Sequence, residues 1–142
     1  MNMKDRNVSL VFIIICILIV TGCSNILGNE DQRIEGQKNI GDNKYEDLKV
    51  VTDNKQVQQV KKILNDAHFE NKKVQISRPA DYHFVFQFKN SKIEAKAVLY
   101  QIWISPNKDI VEIILGGNRY AQLEEKNAAT LFRIVTGEKL AE

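Results

Sequence analysis

The amino-acid sequence predicts an α+β domain, an antiparallel meander sheet with two helices on one face, in the order β-α-β-β-β-β-β-α. The first observation is a central run of short segments that alternate apolar with polar residues or are rich in β-branched and aromatic types. The second is that short turns separate these segments, which requires antiparallel pairing of neighbours. The third is that stretches with helical spacing of apolar residues flank the run on either side. Helices segregated in this way pack on one face of such a sheet.

The first predicted strand is Leu48–Thr52, and a helix follows it directly. Asp53 stands where an N-cap is needed, and Gln56 three residues later completes a variant of the capping box. One face of this helix is apolar and comprises Val57, Val60, Ile63, Leu64 and Ala67. The helical period is lost after Ala67, so we expect the helix to end there.

Five strands are predicted in the centre, over Lys73–Ser77, Tyr82–Phe88, Ile93–Ile104, Ile110–Leu115 and Arg119–Leu123. The strongest signal is Tyr82–Phe88, where aromatic residues recur at every second position. Proline and glycine lie between the strands rather than in them, as is typical of turns. The last helix has an apolar face formed by Ala128, Leu131, Phe132 and Val135. Gly137 follows at the place of a left-handed C-cap.

The composition is that of an ordinary globular domain. The chain has 142 residues, of which 44% are hydrophobic and 27% charged, and a formal net charge of +2. This weak charge argues against the basic footprint of a nucleic-acid-binding protein. Two cysteines are too few for a disulfide-dense scaffold. No spacing of histidine, cysteine and carboxylate predicts a metal site or a cofactor, and no nucleophile or phosphate-loop motif predicts catalysis.

The first residues predict an export signal. Lys4 and Arg6 precede an apolar run over Val8–Val20, and small residues follow it, as in a secretory signal peptide. This run would span roughly 20 Å as a helix, short of the ~30 Å hydrocarbon core. It ends at Val20-Thr21-Gly22-Cys23, which resembles the bacterial lipobox. The resemblance implies cleavage before Cys23 and attachment of a diacylglyceryl group to its thiol; the alternative is an uncleaved signal anchor.

These observations divide the chain into three parts: a lipoprotein signal peptide over 1–22, the lipidated Cys23 with a flexible tether up to residue 47, and a single α+β domain over 48–142. The tether is predicted because residues 24–47 contain few large apolar side chains and more acidic than basic ones. We therefore expect a protein anchored through Cys23 to the extracytoplasmic face of the cell membrane. Its further partner would be a protein or a small ligand, and not a nucleic acid.

The Ile93–Ile104 segment is the strongest candidate for a partner surface. Its second half is apolar on both faces, whereas a sheet with helices on one side should be polar on the other. One hypothesis is an exposed surface for a ligand, a partner or a second copy, formed by Tyr100, Ile102, Trp103 and Ile104. The other, which we favour, is that loops and the N-terminal segment bury this strand.

Candidates for catalysis are few. Asp81, Tyr82 and His83 are adjacent in sequence, and an envelope enzyme that uses them is one alternative function. A homo-oligomeric structural module that uses the apolar face around Trp103 is another. We expect instead a non-catalytic binding or accessory module without a cofactor or a metal ion, and the sequence leaves its oligomeric state open.

Three stretches of the chain resemble a known family, namely Arg78–Tyr82, Lys92–Ala97 and Trp103–Asp109. They are similar to the YhfM-like small lipoproteins of Gram-positive bacilli, and the similarity extends from Val57 to Leu140. The resemblance implies a lipid-anchored protein with a single domain at the cell membrane. It implies no activity and no site residues.

Overall fold

Seven strands form one sheet, and two helices pack on it, in a computed structural model that describes residues 31–140. The strands are β1 (Gln32–Gly41), β2 (Lys44–Val51), β3 (Glu70–Asn71), β4 (Tyr82–Phe88), β5 (Tyr100–Ile104), β6 (Ile110–Leu115) and β7 (Arg119–Glu124). The helices are α1 (Asn54–Asp66), between β2 and β3, and α2 (Glu125–Thr136), after β7. The predicted α+β class is confirmed.

All neighbouring strands are antiparallel, and their order in the sheet is β2-β1-β4-β5-β6-β7-β3. β4 to β7 are consecutive both in sequence and in the sheet, which confirms the predicted meander. The register places Gln32 beside Phe88 at one end of the sheet, which we call the entry end. The turn at 116–118 lies at the entry end, and the turn at 105–109 lies at the opposite end, the far end.

β1 and the first half of β2 lie in the stretch for which the composition predicted a flexible tether, and that prediction is wrong for residues 32–47. β1 is an inner strand, hydrogen-bonded to β2 on one side and to β4 on the other. Ile34 is fully buried in the core. Asp42 and Asn43 form the two-residue turn between β1 and β2 with φ angles of 52° and 57°, and a type I′ hairpin turn requires a positive φ at both positions.

The tether prediction fails because β1 needs little apolar surface of its own. It is stabilised by backbone hydrogen bonds to both neighbours and by a close approach to α2 at Gly36. A Cβ atom at this position would lie 2.6 Å from the carbonyl oxygen of Val135, so glycine is needed for the helix to pack at this distance. Neither the backbone hydrogen bonds nor the close approach at Gly36 can be inferred from the average composition of residues 24–47.

Both helices pack on one face of the sheet, as predicted. The side chain of Asp53 accepts a hydrogen bond from the backbone N–H of Gln56 at 2.9 Å and caps α1. Gly137 has a φ of 78° and ends α2 as the expected left-handed cap. The main core joins the two helices to the sheet and includes Ile34, Val57, Val60, Ile63, Leu64, Phe84, Ile102, Val111, Ile113, Leu131, Phe132 and Val135.

Two segments that were predicted as strands are irregular. Residues 93–99 form a connection outside the sheet, and β5 begins only at Tyr100. The stretch 94–97 consists of alanine, lysine and glutamate, which are depleted in strands. Residues 73–77 are also irregular, and the short β3 lies just before them. Both strands were predicted from the alternation of apolar and polar residues. Such alternation indicates which side chains are buried, but it does not show that the backbone is hydrogen-bonded to a neighbouring strand.

Residues 72–80 cross the outer face of the sheet, the face opposite the helices. Val74 and Ile76 are half-buried and pack against Trp103 in a second, small core. The indole Nε1–H of Trp103 donates a hydrogen bond to the carbonyl oxygen of Arg78 at 3.0 Å. The second apolar side of β5 is therefore covered by a loop of the protein's own chain.

Replacement of Gly36 by alanine is expected to lower the free energy of unfolding by about 1–3 kcal/mol, the usual cost of overpacking. The new methyl group would meet the Val135 carbonyl oxygen. The midpoint of urea unfolding measures the change. Gln58→Ala, on the exposed side of α1, is the matched control and should stay within about 0.5 kcal/mol of the wild type. Equal midpoints for both variants would contradict the close approach of β1 and α2.

Candidate functional site

A pocket of about 560 Å³ lies at the far end of the sheet, where the turn at 105–109 meets α2 and residues 139–140. We call it the basic pocket. Cationic side chains outnumber carboxylates in its lining, which comprises Asn107, Lys108, Asp109, Glu125, Lys126, Ala129, Thr130, Arg133, Lys139 and Leu140. A volume of this order suits a small-molecule ligand, and the surplus of positive charge favours an anion.

The turn at 105–109 is held in place by Ser105. Its hydroxyl accepts hydrogen bonds from the backbone N–H groups of Asp109 at 3.2 Å and Ile110 at 3.1 Å, and it donates one to the Asp109 carboxylate at 2.7 Å. The Lys108 N–H donates a hydrogen bond to the Ser105 carbonyl oxygen at 2.9 Å. Lys108 has a φ of 60°, which is uncommon for a residue with a side chain. These bonds fix the backbone from which Lys108 reaches the pocket.

One side of α2 forms a wall of the basic pocket. Four residues of this helix line the pocket at helical spacing, so their side chains share a face: Lys126, Ala129, Thr130 and Arg133. No side chain caps the start of this helix, and its first N–H groups carry a partial positive charge. Together with Lys108, this wall can hold a carboxylate or a phosphate group by charge-assisted hydrogen bonds. The two carboxylates of the lining, Asp109 and Glu125, lie beside these cations.

Asp81, Tyr82 and His83, the candidates for catalysis, do not share a pocket. The carboxylate of Asp81 pairs with the Arg78 guanidinium at 2.5 Å and accepts a hydrogen bond from the backbone N–H of Ile104 at 2.8 Å. Tyr82 packs in the main core on the helix side. His83 points to the outer face, because neighbouring residues in a strand alternate between faces. The enzyme alternative therefore gains no support from these residues.

The hydroxyl of Tyr82 contacts a residue that the sequence analysis did not single out, Glu138. Tyr82 donates a hydrogen bond to the Glu138 carboxylate at 2.6 Å, and the ammonium group of Lys38 donates another at 2.7 Å. The hydrogen bonds from Lys38 and from Tyr82 hold the pKa of Glu138 below its usual value. Burial, and then the hydrogen bond to Glu138, raise the pKa of Tyr82. The cluster joins β1 and β4 to the segment after α2, and no local sequence signal connects residues so far apart along the chain.

His83 stacks on Tyr45 on the outer face, with ring centroids 3.6 Å apart and an interplanar angle of 15°. Burial lowers the pKa of His83, and its Nε2 atom is buried without a hydrogen-bond partner among the described residues. The hydroxyl of Tyr45 donates a hydrogen bond to the carbonyl oxygen of Ala80 at 2.9 Å. The pair therefore packs the β1–β2 hairpin against the end of the 72–80 segment, and the burial that accompanies it disfavours the charged form of His83.

Tyr100, Ile102, Trp103 and Ile104 do not form one exposed surface, which was the less favoured of the two hypotheses for this strand. Ile102 is 0% exposed in the main core, and Trp103 is 5% exposed in the second core on the opposite face. Tyr100 stacks on Phe84 with ring centroids 4.6 Å apart, and Ile104 is half-buried. These side chains pack inside the protein. The side of β5 that faces away from the helices is covered by the 72–80 segment.

Cys23 lies outside the described residues. Within residues 31–140, no three histidine, cysteine, aspartate or glutamate side chains come together as a set of metal ligands. In the same part of the chain, neither helix is long and apolar enough to cross a lipid bilayer.

Glu138→Gln is expected to lower the stability at neutral pH and to have little effect in acid. Because the pKa of Glu138 is depressed in the folded protein, its carboxylate contributes stability above the ordinary value of 4.5, and this contribution is lost as the pH falls through the folded value. Urea unfolding of both proteins between pH 7 and pH 3 measures the difference. Glu94→Gln, at an exposed position, is the control and should follow the wild type throughout. A deficit of Glu138→Gln that persists in acid would contradict a role of the carboxylate charge.

Comparison with known proteins identifies a family. No curated protein and no solved structure matches the chain. A family profile described as YhfM protein matches residues 30–141. The match begins just before β1, so it includes the β1–β2 hairpin as well as the basic pocket. Since it covers most of the sequence, the chain belongs to the YhfM protein family.

Proposed function

We propose that this protein is a lipid-anchored lipoprotein on the extracytoplasmic face of the membrane and that its domain binds a small anionic ligand in the basic pocket. The observation that carries the binding role is the convergence of Lys108, Lys126 and Arg133 on one pocket from a turn and a helix. The anchor rests on the resemblance of Val20–Cys23 to a lipobox, directly after a short apolar run.

The lining of the basic pocket favours an anion that carries a short apolar group. Arg133 offers a planar set of donors that matches a carboxylate or a phosphate, whereas Lys108 and Lys126 add positive charge on flexible stems. Ala129 and Leu140 provide apolar lining beside these cations. The ligand class is therefore a small organic acid or an organic phosphate.

The anchor and the basic pocket are compatible because the chain enters at the end of the sheet opposite the pocket. Only eight residues separate Cys23 from Gln32, and a chain of this length spans at most roughly 30 Å. This length allows the entry end to approach the membrane while the basic pocket at the far end stays accessible. Acyl chains on Cys23 would hold the protein firmly, since each buried methylene contributes about 0.8 kcal/mol.

Cys23→Ala is expected to abolish lipid attachment and to move the protein out of the membrane fraction. Fractionation of expressing cells, with metabolic incorporation of a labelled fatty acid, measures both effects. Cys16→Ala removes the other thiol, inside the predicted signal peptide, and is the matched control that should keep the label and the membrane location. Equal labelling of the Cys23→Ala variant and the wild type would overturn the lipid anchor.

Arg133→Gln is expected to weaken the binding of an anionic probe roughly 10- to 150-fold, because a hydrogen bond to a charged group contributes roughly 1.5–3 kcal/mol. Calorimetric titration of the detergent-solubilised protein with butyl phosphate and with hexanoate measures the affinity. Lys55→Gln, near the start of α1, removes one positive charge outside the pocket and should bind like the wild type. Equal affinity of the Arg133 and Lys55 variants, or no binding of either probe to the wild type, would contradict the proposed pocket.

A further inference from the structure

The connection between β4 and β5, residues 89–99, lies at the entry end of the sheet, and we call it the tip loop. The Lys89 N–H donates a hydrogen bond to the Asp31 carbonyl oxygen at 2.9 Å. At the other end of the loop, the Gly116 N–H donates a hydrogen bond to the Leu99 carbonyl oxygen at 3.1 Å. The tip loop is thereby fixed beside the point at which the described chain begins.

The tip loop exposes two adjacent large apolar side chains. Val98 is 51% exposed and Leu99 is 38% exposed. Val98 also lines a cleft of about 340 Å³ together with Phe86, Phe88 and other residues of β4, α1 and the loop. The apolar surface therefore continues from the exposed loop into a partly aromatic recess, and Val98 and Leu99 are not needed to fill the main core.

The tip loop is also cationic. Lys92 and Lys96 are exposed, and Lys89 lies 3.9 Å from the carboxylate of Asp31. Glu94 is the one acidic residue of the loop itself. Neighbouring elements at the entry end add charges of both signs, from Lys61, Lys72, Glu70 and Arg119. Exposed lysines beside exposed aliphatic side chains are typical of protein surfaces that bind anionic lipid.

We propose that the tip loop docks on the anionic surface of the membrane to which Cys23 is anchored. Val98 and Leu99 enter the headgroup region, and Lys92 and Lys96 pair with lipid phosphates. This inference rests on the lipid anchor proposed above and extends it from a point of attachment to an orientation of the whole domain. The basic pocket is then held away from the bilayer, open to ligands in the surrounding medium.

The position and length of the preceding chain make the bilayer the favoured occupant of this surface. Eight residues between Cys23 and Gln32 keep the tip loop within roughly 30 Å of the anchored lipid. Tethering makes docking an intramolecular event, with an effective concentration of the order of millimolar. A contact too weak to recruit a free protein is therefore sufficient here.

The test uses the lipidated protein reconstituted in vesicles of phosphatidylglycerol and phosphatidylcholine. Val98→Cys carries an environment-sensitive fluorophore, and Asn107→Cys at the far end is the matched control. The proposed mature lipoprotein offers no competing thiol, because Cys16 leaves with the signal peptide and the sulfur of Cys23 carries the diacylglyceryl group. We expect a blue shift, a several-fold rise in emission and quenching by spin-labelled lipid for the label at 98, and none of these for the label at 107.

A pair of charge reversals tests the electrostatic part of the contact. Lys92→Glu/Lys96→Glu, combined with the label at 98, should lose most of the blue shift. Lys108→Glu/Lys126→Glu makes the same change in net charge at the far end and should leave it intact. Unchanged emission of the buried Trp103 shows that each variant remains folded.

The two proposals fail in different ways. If the protein floats with the vesicles but the label at 98 stays as water-exposed as the label at 107, docking is overturned and the anchor stands. If the protein does not float with the vesicles, the anchor is overturned and docking with it. An equal response in vesicles of pure phosphatidylcholine overturns recognition of anionic lipid, and so does an undiminished response of the Lys92→Glu/Lys96→Glu variant.

Discussion

The backbone ladder between β1 and β4 determines three features of the protein. It converts β4 from an edge strand into an inner strand, which protects the meander on that side from unwanted pairing. It places Ile34 in the main core and Gly36 against α2. It also brings Lys38 beside Tyr82, so that both reach the carboxylate of Glu138 beyond the end of α2. The start of the domain and its last described residues are thus joined through one inner strand.

The helices and the meander were predictable because each depends on a local signal. Asp53 and Gly137 cap the helices within a few residues of the apolar faces that they delimit, and Tyr82–Phe88 alternates strongly enough to indicate a strand by itself. β1 has no such signal, since one deeply buried side chain, Ile34, and one close approach, Gly36, stabilise it through distant partners. The local mark of the hairpin was its turn, Asp42-Asn43, where short polar side chains tolerate positive φ.

The site was less predictable than the fold, because its parts come from separate segments. The basic pocket joins a turn, one face of α2 and residues 139–140, and the spacing of lysines along a chain does not show that they converge. The stack of Tyr45 on His83 likewise needs the β1–β2 hairpin, and most of that hairpin lies in the stretch that was predicted to be a flexible tether. For β5 the pattern was informative but incomplete: it showed two apolar faces, and only the three-dimensional path of residues 72–80 shows what covers the second.

The register of β1 connects the fold to both proposals. Because β1 begins at the entry end and pairs with β4 in a single register, the chain must leave the domain beside the tip loop and away from the basic pocket. A slip of one residue would turn Ile34 to the outer face and Lys38 away from Glu138, so the core and the carboxylate cluster both oppose it. The same packing that stabilises the domain therefore sets the geometry on which both proposals depend, because β1 begins beside the tip loop and at the end of the sheet opposite the basic pocket.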